Sequence, residues 1–199
     1  LFAIENPLPD IFLNRDVQMD RPKRIGFCGA WSKRKAPPIL VRDMSEFLRT
    51  HSDWTFSVVG VGDTNVAKEF PEDVRQQVEV ISYLEREKLV NWYHSLAIFT
   101  LPSVYESFGL VMAEAMACGA ALVATNVGFA HSLEAGEEAV ILSEPRPPQL
   151  CDALTTLADD AGFRRKIAQN GYDRVQDLRW DDAVDRLESI YESIVDEHS

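Results

Sequence analysis

Six short apolar runs recur along the chain, closed in turn by Gly29, Gly60, Ser82, Pro102, Asn126 and Ser143. They cover residues 24–29 (RIGFCG), 54–59 (WTFSVV), 78–82 (VEVIS), 97–101 (AIFTL), 120–124 with Thr125 (AALVAT) and 138–142 (EAVIL). Runs of this length bounded by turn residues read as buried strands. The stretches between them have helical spacing. Residues 38–50 place Ile39, Leu40, Met44, Phe47 and Leu48 on one face, with a proline tolerated at the start. A short helix is expected near 64–70. A longer one is expected over 85–95, with Leu84, Leu89, Trp92 and Tyr93 as its inner face. Strands that alternate with helices are joined by crossovers, so the sheet is parallel. The expectation is an α/β domain with a parallel sheet of about six strands and helices on both faces. From Pro147 onward the pattern turns helical, over 148–158, 163–175 and 180–195. The last of these is acidic outside a stripe of Val184, Leu187, Ile190, Tyr191 and Ile194. At 199 residues the chain can bury a real core as one domain.

Sheets of this kind bind ligands at the carboxyl ends of their strands. The loops following the strands therefore gather on one edge: the 29–35 loop, the Gly60 turn, the Tyr83 loop and the loop from Glu106 to Gly109. The stretch 101–119, LPSVYESFGLVMAEAMACG, is the most distinctive of them. A helix is expected over 108–118 with Ser107 as its N-cap and Gly119 closing it. The amides of Phe108, Gly109 and Leu110 would then lack intrahelical acceptors, and a helix N-terminus of this kind suits a phosphate. Glu106 sits in the loop. Glu114 is the single charge in the run FGLVMAEAMAC. A carboxylate in such a run needs a reason, because its burial is costly. Either it serves a ligand or it lies on a narrow exposed face with Ser107 merely capping a packed helix.

Charge narrows the ligand. The chain carries a net charge of −12, which argues against broad nucleic-acid binding. Residues 21–35 nonetheless hold six Lys or Arg and no acid. One basic patch on an acidic chain suits a small anion, although charge runs are usually solvated. Cys28, Cys118 and Cys151 are odd in number and widely spaced, and read as reduced thiols of a cytosolic protein. The four histidines show no ligand spacing, so no metal site is expected. No segment is long and apolar enough to span a bilayer, and no secretory signal is visible. A start at Leu1 rather than Met fits a piece of something longer.

With PSVYESFG leading in and EAMACGAALVATNVG following, Glu106 and Glu114, seven residues between them, resemble a known signature. It is that of the family 4 retaining glycosyltransferases of the GT-B fold, also called glycosyl transferases group 1. The resemblance covers roughly residues 5–195. It implies the Rossmann-like, donor-binding C-terminal half of such an enzyme, one half of a GT-B fold. Residues 1–22 would be the interdomain connector and 23–199 the nucleotide-sugar-binding domain, the N-terminal acceptor domain being absent. The enzyme would move a sugar from a nucleotide diphosphate to an acceptor hydroxyl, and the isolated half would bind donor but transfer poorly. The partners implied are the nucleotide-sugar and the acceptor domain of the same protein. No nucleic acid and no cofactor or bound metal is implied. The location implied is cytoplasmic, with any contact at the inner membrane face made through the other domain.

Residue by residue, the resemblance gives Glu106 the transferred sugar and Glu114 the ribose hydroxyls. Lys35 and the amides of Phe108, Gly109 and Leu110 take the diphosphate, making Glu106 and Lys35 the catalytic pair. Ser107 lies within the same loop, and Tyr83 and Leu84 stand where the family places the base. Glu134 occupies the position of a family glutamate. Three positions depart from the pattern. Ala30 stands for the family's Arg, with Lys33 and Arg34 as neighbouring cations. Ala36 stands for the Gly after the lysine, and Glu138-Ala139 for an Asn-Gly pair. Two alternatives remain at this stage: a degenerate binding module without transfer activity, and a nucleotide-sugar epimerase of the same fold.

Overall fold

The computed structural model describes residues 5–13 and 16–196. Its sheet contains β1 (Arg24–Cys28), β2 (Thr55–Val59), β3 (Val78–Ile81), β4 (Ile98–Leu101), β5 (Ala121–Thr125) and β6 (Val140–Leu142). The strands run in the order β3-β2-β1-β4-β5-β6, every pair parallel. Ile25 of β1 stands opposite Phe56 on one side and Ile98 on the other. The order reverses between β1 and β4, which defines the crevice where ligands of Rossmann-like sheets bind. The expected architecture is therefore the one observed.

The helices are α1 (Pro37–Thr50), α2 (Glu72–Arg75), α3 (Arg86–His94), α4 (Leu110–Ala117), α5 (Gln149–Asp159), α6 (Ala161–Val175) and α7 (Trp180–Asp196). Strands β4 and β5 are buried along their whole length, as strands covered on both faces must be. Packing between layers is close enough to dictate single residues. A Cβ on Gly26 of β1 would come within 2.2 Å of Leu96 and 2.9 Å of Trp92. Phe27, Phe47, Trp54, Phe56, Tyr93 and Phe99 are fully buried, each worth about 1.5–3 kcal/mol of transfer free energy.

Several expected elements differ at their ends. The helix expected near 64–70 is a 3-10 turn, Val66–Glu69, followed by α2, which no periodicity announced. Strand β6 is shorter than 138–142, because residues 135–139 form a turn closed by a bridge between Ala135 and Ala139. On the α7 stripe, Val184, Leu187, Tyr191 and Ile194 are exposed and Ile190 is half-buried. The described part of the 1–22 segment packs onto the domain. Leu8, Phe12 and Leu13 belong to the core, the Leu8 amide donates to the Leu178 carbonyl, and Glu5 pairs with Arg174 at 2.7 Å.

The basic patch is split by the strand it contains. Arg21, Lys23 and Arg24 lie at the amino end of β1 and are structural. Arg21 donates to the His94 and Cys118 carbonyls, Lys23 pairs with Asp53, and Arg24 pairs with Glu79. Only Lys33, Arg34 and Lys35 reach the carboxyl edge, about 17 Å away along a five-residue strand.

Candidate functional site

The site begins at the crevice between β1 and β4. The loop leaving β1 crosses it as a 3-10 turn, Lys33–Lys35, and the chain then enters α1 through Ala36. This turn carries Lys35 inward, where it is 5% exposed, while Lys33 and Arg34 stay at the surface. The loop leaving β4 meets it there. Lys35 Nζ donates to Glu106 Oε1 at 2.6 Å, and Ser103 Oγ donates to the same oxygen at 2.7 Å. Both charges are buried, and each supplies the compensation the other needs. Residues 71 apart in sequence thus form one cation–carboxylate centre at the switch point.

Backbone bonds hold the surrounding loops in register. The Val104 amide donates to the Arg34 carbonyl at 2.8 Å, tying the β4 loop to the β1 loop. The Phe129 amide donates to the Phe108 carbonyl at 2.7 Å, tying the β4 loop to the turn after β5. Thr125 Oγ1 donates to the Ser103 carbonyl and so fixes the residue that fixes Glu106. Gly128, at φ 57°, is required here: a Cβ would lie 2.4 Å from the Phe108 carbonyl oxygen and 2.9 Å from Glu106. Beside this cluster a cavity of about 310 Å³ opens between Ser107, Phe108, Gly128, Phe129 and His131.

The helix α4 starts later than expected. It begins at Leu110, and its N-cap is Gly109 in the left-handed region at φ 82°. No side chain caps it, so Ser107 is an exposed loop residue and not the cap. The amides at this helix start without intrahelical acceptors are those of Gly109, Leu110 and Val111, with Met112 donating back to the Gly109 carbonyl at 2.9 Å. Phe108 and Gly109 precede the helix, their backbone lying against Glu106 and Phe129.

Glu114 is half-buried on the second turn of α4. Its Oε2 accepts a hydrogen bond from the Tyr93 hydroxyl at 3.0 Å. Burial pushes this carboxyl above its ordinary value, against the lowering effects of the Tyr93 bond and the Arg86 charge. Tyr93 is fully buried and its phenol is pushed up by desolvation. Cys28, at the end of β1, lies against the same hydroxyl, and burial pushes its thiol up to about 11. Tyr83 follows β3 at the same edge and is 74% exposed; Leu84 beside it is half-buried. Glu134 is exposed, and its amide is held by the Glu138 carboxylate at 2.9 Å.

A protein-family model described as "Glycosyl transferases group 1" matches residues 22–160, which include every residue just named. The chain belongs to this family.

As a member of the glycosyl transferases group 1 family, it is 30% identical over 179 residues to a D-inositol 3-phosphate glycosyltransferase of Corynebacterium aurimucosum, covering 85% of this chain and 42% of that protein. The chain thus spans less than half the length of the curated relatives it matches. Among solved structures it is similar to the C-terminal domain of a glycosyl transferase group 1 protein, LpcC, of Francisella tularensis. That match has 30% identity and a TM-score of 0.68 over 77% of this chain and 84% of the other. It also shares the fold of Anabaena HepE in complex with UDP-glucose, at 21% identity and a TM-score of 0.71 over 89% and 50%. The GT-B half expected from the signature is therefore the one present.

Sequence reasoning missed Ser103, Thr125, Tyr93 and Gly128 as parts of the site. Ser103 stood in the quoted PSVYE segment but carried no pattern of its own. Tyr93 was legible only as an inner-face residue of a helix. The departure at Ala36 has a visible cost: it adopts φ 53°, a left-handed conformation that suits glycine, and no other non-glycine residue described here has a positive φ. Among the described residues, no three His, Cys, Asp or Glu side chains gather where they could hold a metal ion. None of the described helices is long and apolar enough to cross a membrane.

Proposed function

We propose that this chain is the donor-binding half of a family 4 retaining glycosyltransferase, with 1–22 as the interdomain connector and 23–199 as the nucleotide-sugar domain. The observation behind this reading is the buried Lys35–Glu106 pair at the β1–β4 switch point, on the loop that leads into α4. A nucleotide-sugar has parts to match. Its diphosphate takes Lys35 and the first-turn amides, as anions take helix N-termini. Its sugar hydroxyls donate to Glu106 and its ribose hydroxyls to Glu114. As the sugar departs, charge builds on the diphosphate, and the preorganised donors stabilise it electrostatically. The acceptor site belongs to the remainder of the protein, and the enzyme works on the cytoplasmic side. Holding the diphosphate this way calls for no bound metal. The UDP-glucose complex of HepE supports a nucleotide-sugar as the ligand class.

A second reading, a binding module without transfer, has one observation behind it. Ala30 presents an exposed methyl where the family pattern has an arginine.

The test is calorimetry with UDP-, GDP- and ADP-sugars and the matching diphosphates, with and without a chelator. One nucleotide series should bind, the chelator should change nothing, and Glu106→Gln should weaken the sugar-bearing donor more than the free diphosphate. No binding by any series, or equal losses for both ligands, would remove the assignment. Donor binding together with no transfer by the full-length protein would establish the second reading.

A further inference from the structure

The buried hydroxyl of Tyr93 is a polar group in an otherwise apolar setting. Its ring packs edge-on against Phe12 at 6.1 Å and Phe99 at 5.7 Å, and tilted against Trp92 at 5.0 Å. A phenylalanine would fill this space as well, so packing does not account for the oxygen. That oxygen lies against the buried Cys28 sulfur and donates its proton to one carboxylate oxygen, Glu114 Oε2. Among the described residues, Glu114 Oε1 accepts no hydrogen bond. A glutamate on a helix has three rotatable bonds, and one fixed donor on one oxygen selects where the other points. We propose that Tyr93 is a positioning residue for nucleotide recognition: it pins Glu114 Oε2 so that Oε1 is presented to the ribose hydroxyls. This inference rests on the reading of Glu114 as the ribose ligand. It adds that ribose selectivity is set from within the core, by a residue that never touches the ligand.

The experiment compares UDP with 2′-deoxyUDP, or the GDP or ADP pair if that series binds, by calorimetry. The parent, Tyr93→Phe, Glu114→Gln and the double variant are titrated, and thermal melts monitor folding. The parent should prefer the ribonucleotide. Each single variant should reduce that preference roughly three- to tenfold, the scale of one lost hydrogen bond. In the double variant the loss should equal that of Glu114→Gln alone, because Tyr93 acts only through Glu114. A general structural role would lower both affinities and leave their ratio unchanged. If Glu114→Gln loses the preference while Tyr93→Phe keeps it, the inference fails and the ribose reading stands. If Glu114→Gln keeps the preference, or the parent shows none, the ribose reading and the inference fail together. Should Tyr93→Phe not fold, Tyr93→Trp, which keeps an aromatic body but moves the donor, is titrated instead, and an unchanged preference overturns the proposal.

Discussion

Lys35 and Glu106 are each other's solvent. With side-chain exposures of 7% and 6%, neither can be removed alone without stranding a buried charge. Lys35→Ala should therefore destabilise the protein by about 3–5 kcal/mol, the range for breaking a buried pair. The paired change Lys35→Met with Glu106→Gln should recover most of that loss. Chemical denaturation of the three proteins checks this, and a Lys35→Ala variant as stable as the parent would show the pair to be solvated. Ligand titrations on Lys35→Ala, or on Glu106→Gln, are therefore read beside thermal melts of the same variant, so that lost binding is separated from lost stability. Glu114 makes a prediction in pH. Burial raises its value in the folded state above the ordinary 4.5, so the folded protein holds its proton more tightly than the unfolded chain. The resulting stability is present below the unfolded value and is lost as pH rises through the folded one. Glu114→Gln keeps a neutral side chain throughout, so its melting temperature should gain on the parent as the pH rises from the ordinary glutamate value of 4.5. A constant difference as the pH rises would mean Glu114 is as solvated as a surface acid. The two glutamates were legible from their spacing and from the resemblance. Lys35 was legible from the same resemblance, but its direct bond to Glu106 and the Tyr93 bond to Glu114 were not, because these pairs meet across 71 and 21 residues of chain, a distance no local pattern spans.

At the scale of elements, helix starts were the least legible feature. The apolar run suggested that α4 begins at Phe108. The left-handed Gly109 delays it to Leu110, and nothing in the one-dimensional pattern distinguishes a glycine used for φ from one used for space. The cap of α5 was equally hidden. Asp43, buried on α1, accepts the Leu150 and Cys151 amides at 3.2 and 3.3 Å, so one helix caps another across 107 residues. The basic patch failed for a geometric reason: neighbours in sequence were placed at opposite ends of β1. The strands, in contrast, were legible because continuous burial imprints itself on every residue of a short run. Ala36 at the entrance to α1 carries the clearest element-scale prediction. A left-handed alanine costs about 1–2 kcal/mol, and glycine returns part of that by loosening the unfolded chain, about 0.4–1 kcal/mol. Ala36→Gly should therefore stabilise by up to about 1 kcal/mol, read as a rise of a few degrees in melting temperature. A fall would show that the buried methyl outweighs the strain.

For the molecule as a whole, the parallel order with one reversal puts the chemistry at one edge. The segment before β1 packs on α3 through Phe12, whose ring meets that of Tyr93 in the core. The same architecture decides which sulfurs a reagent can find. Cys28 and Cys118 are buried, and only Cys151 is partly open. With its thiol pushed up to about 11, about one Cys28 in a thousand is a thiolate near pH 8, and the thiolate is the form that reacts. An aromatic disulfide reagent should therefore label Cys151 first and the other two only as the molecule opens. Because Cys28 ends β1 beneath the loops of the site, a bound nucleotide should slow its labelling more than that of Cys118. Equal protection of both would mean that opening is global and the site has no motion of its own. The inert thiol then becomes a clock, timing how often the floor beneath Lys35 comes apart.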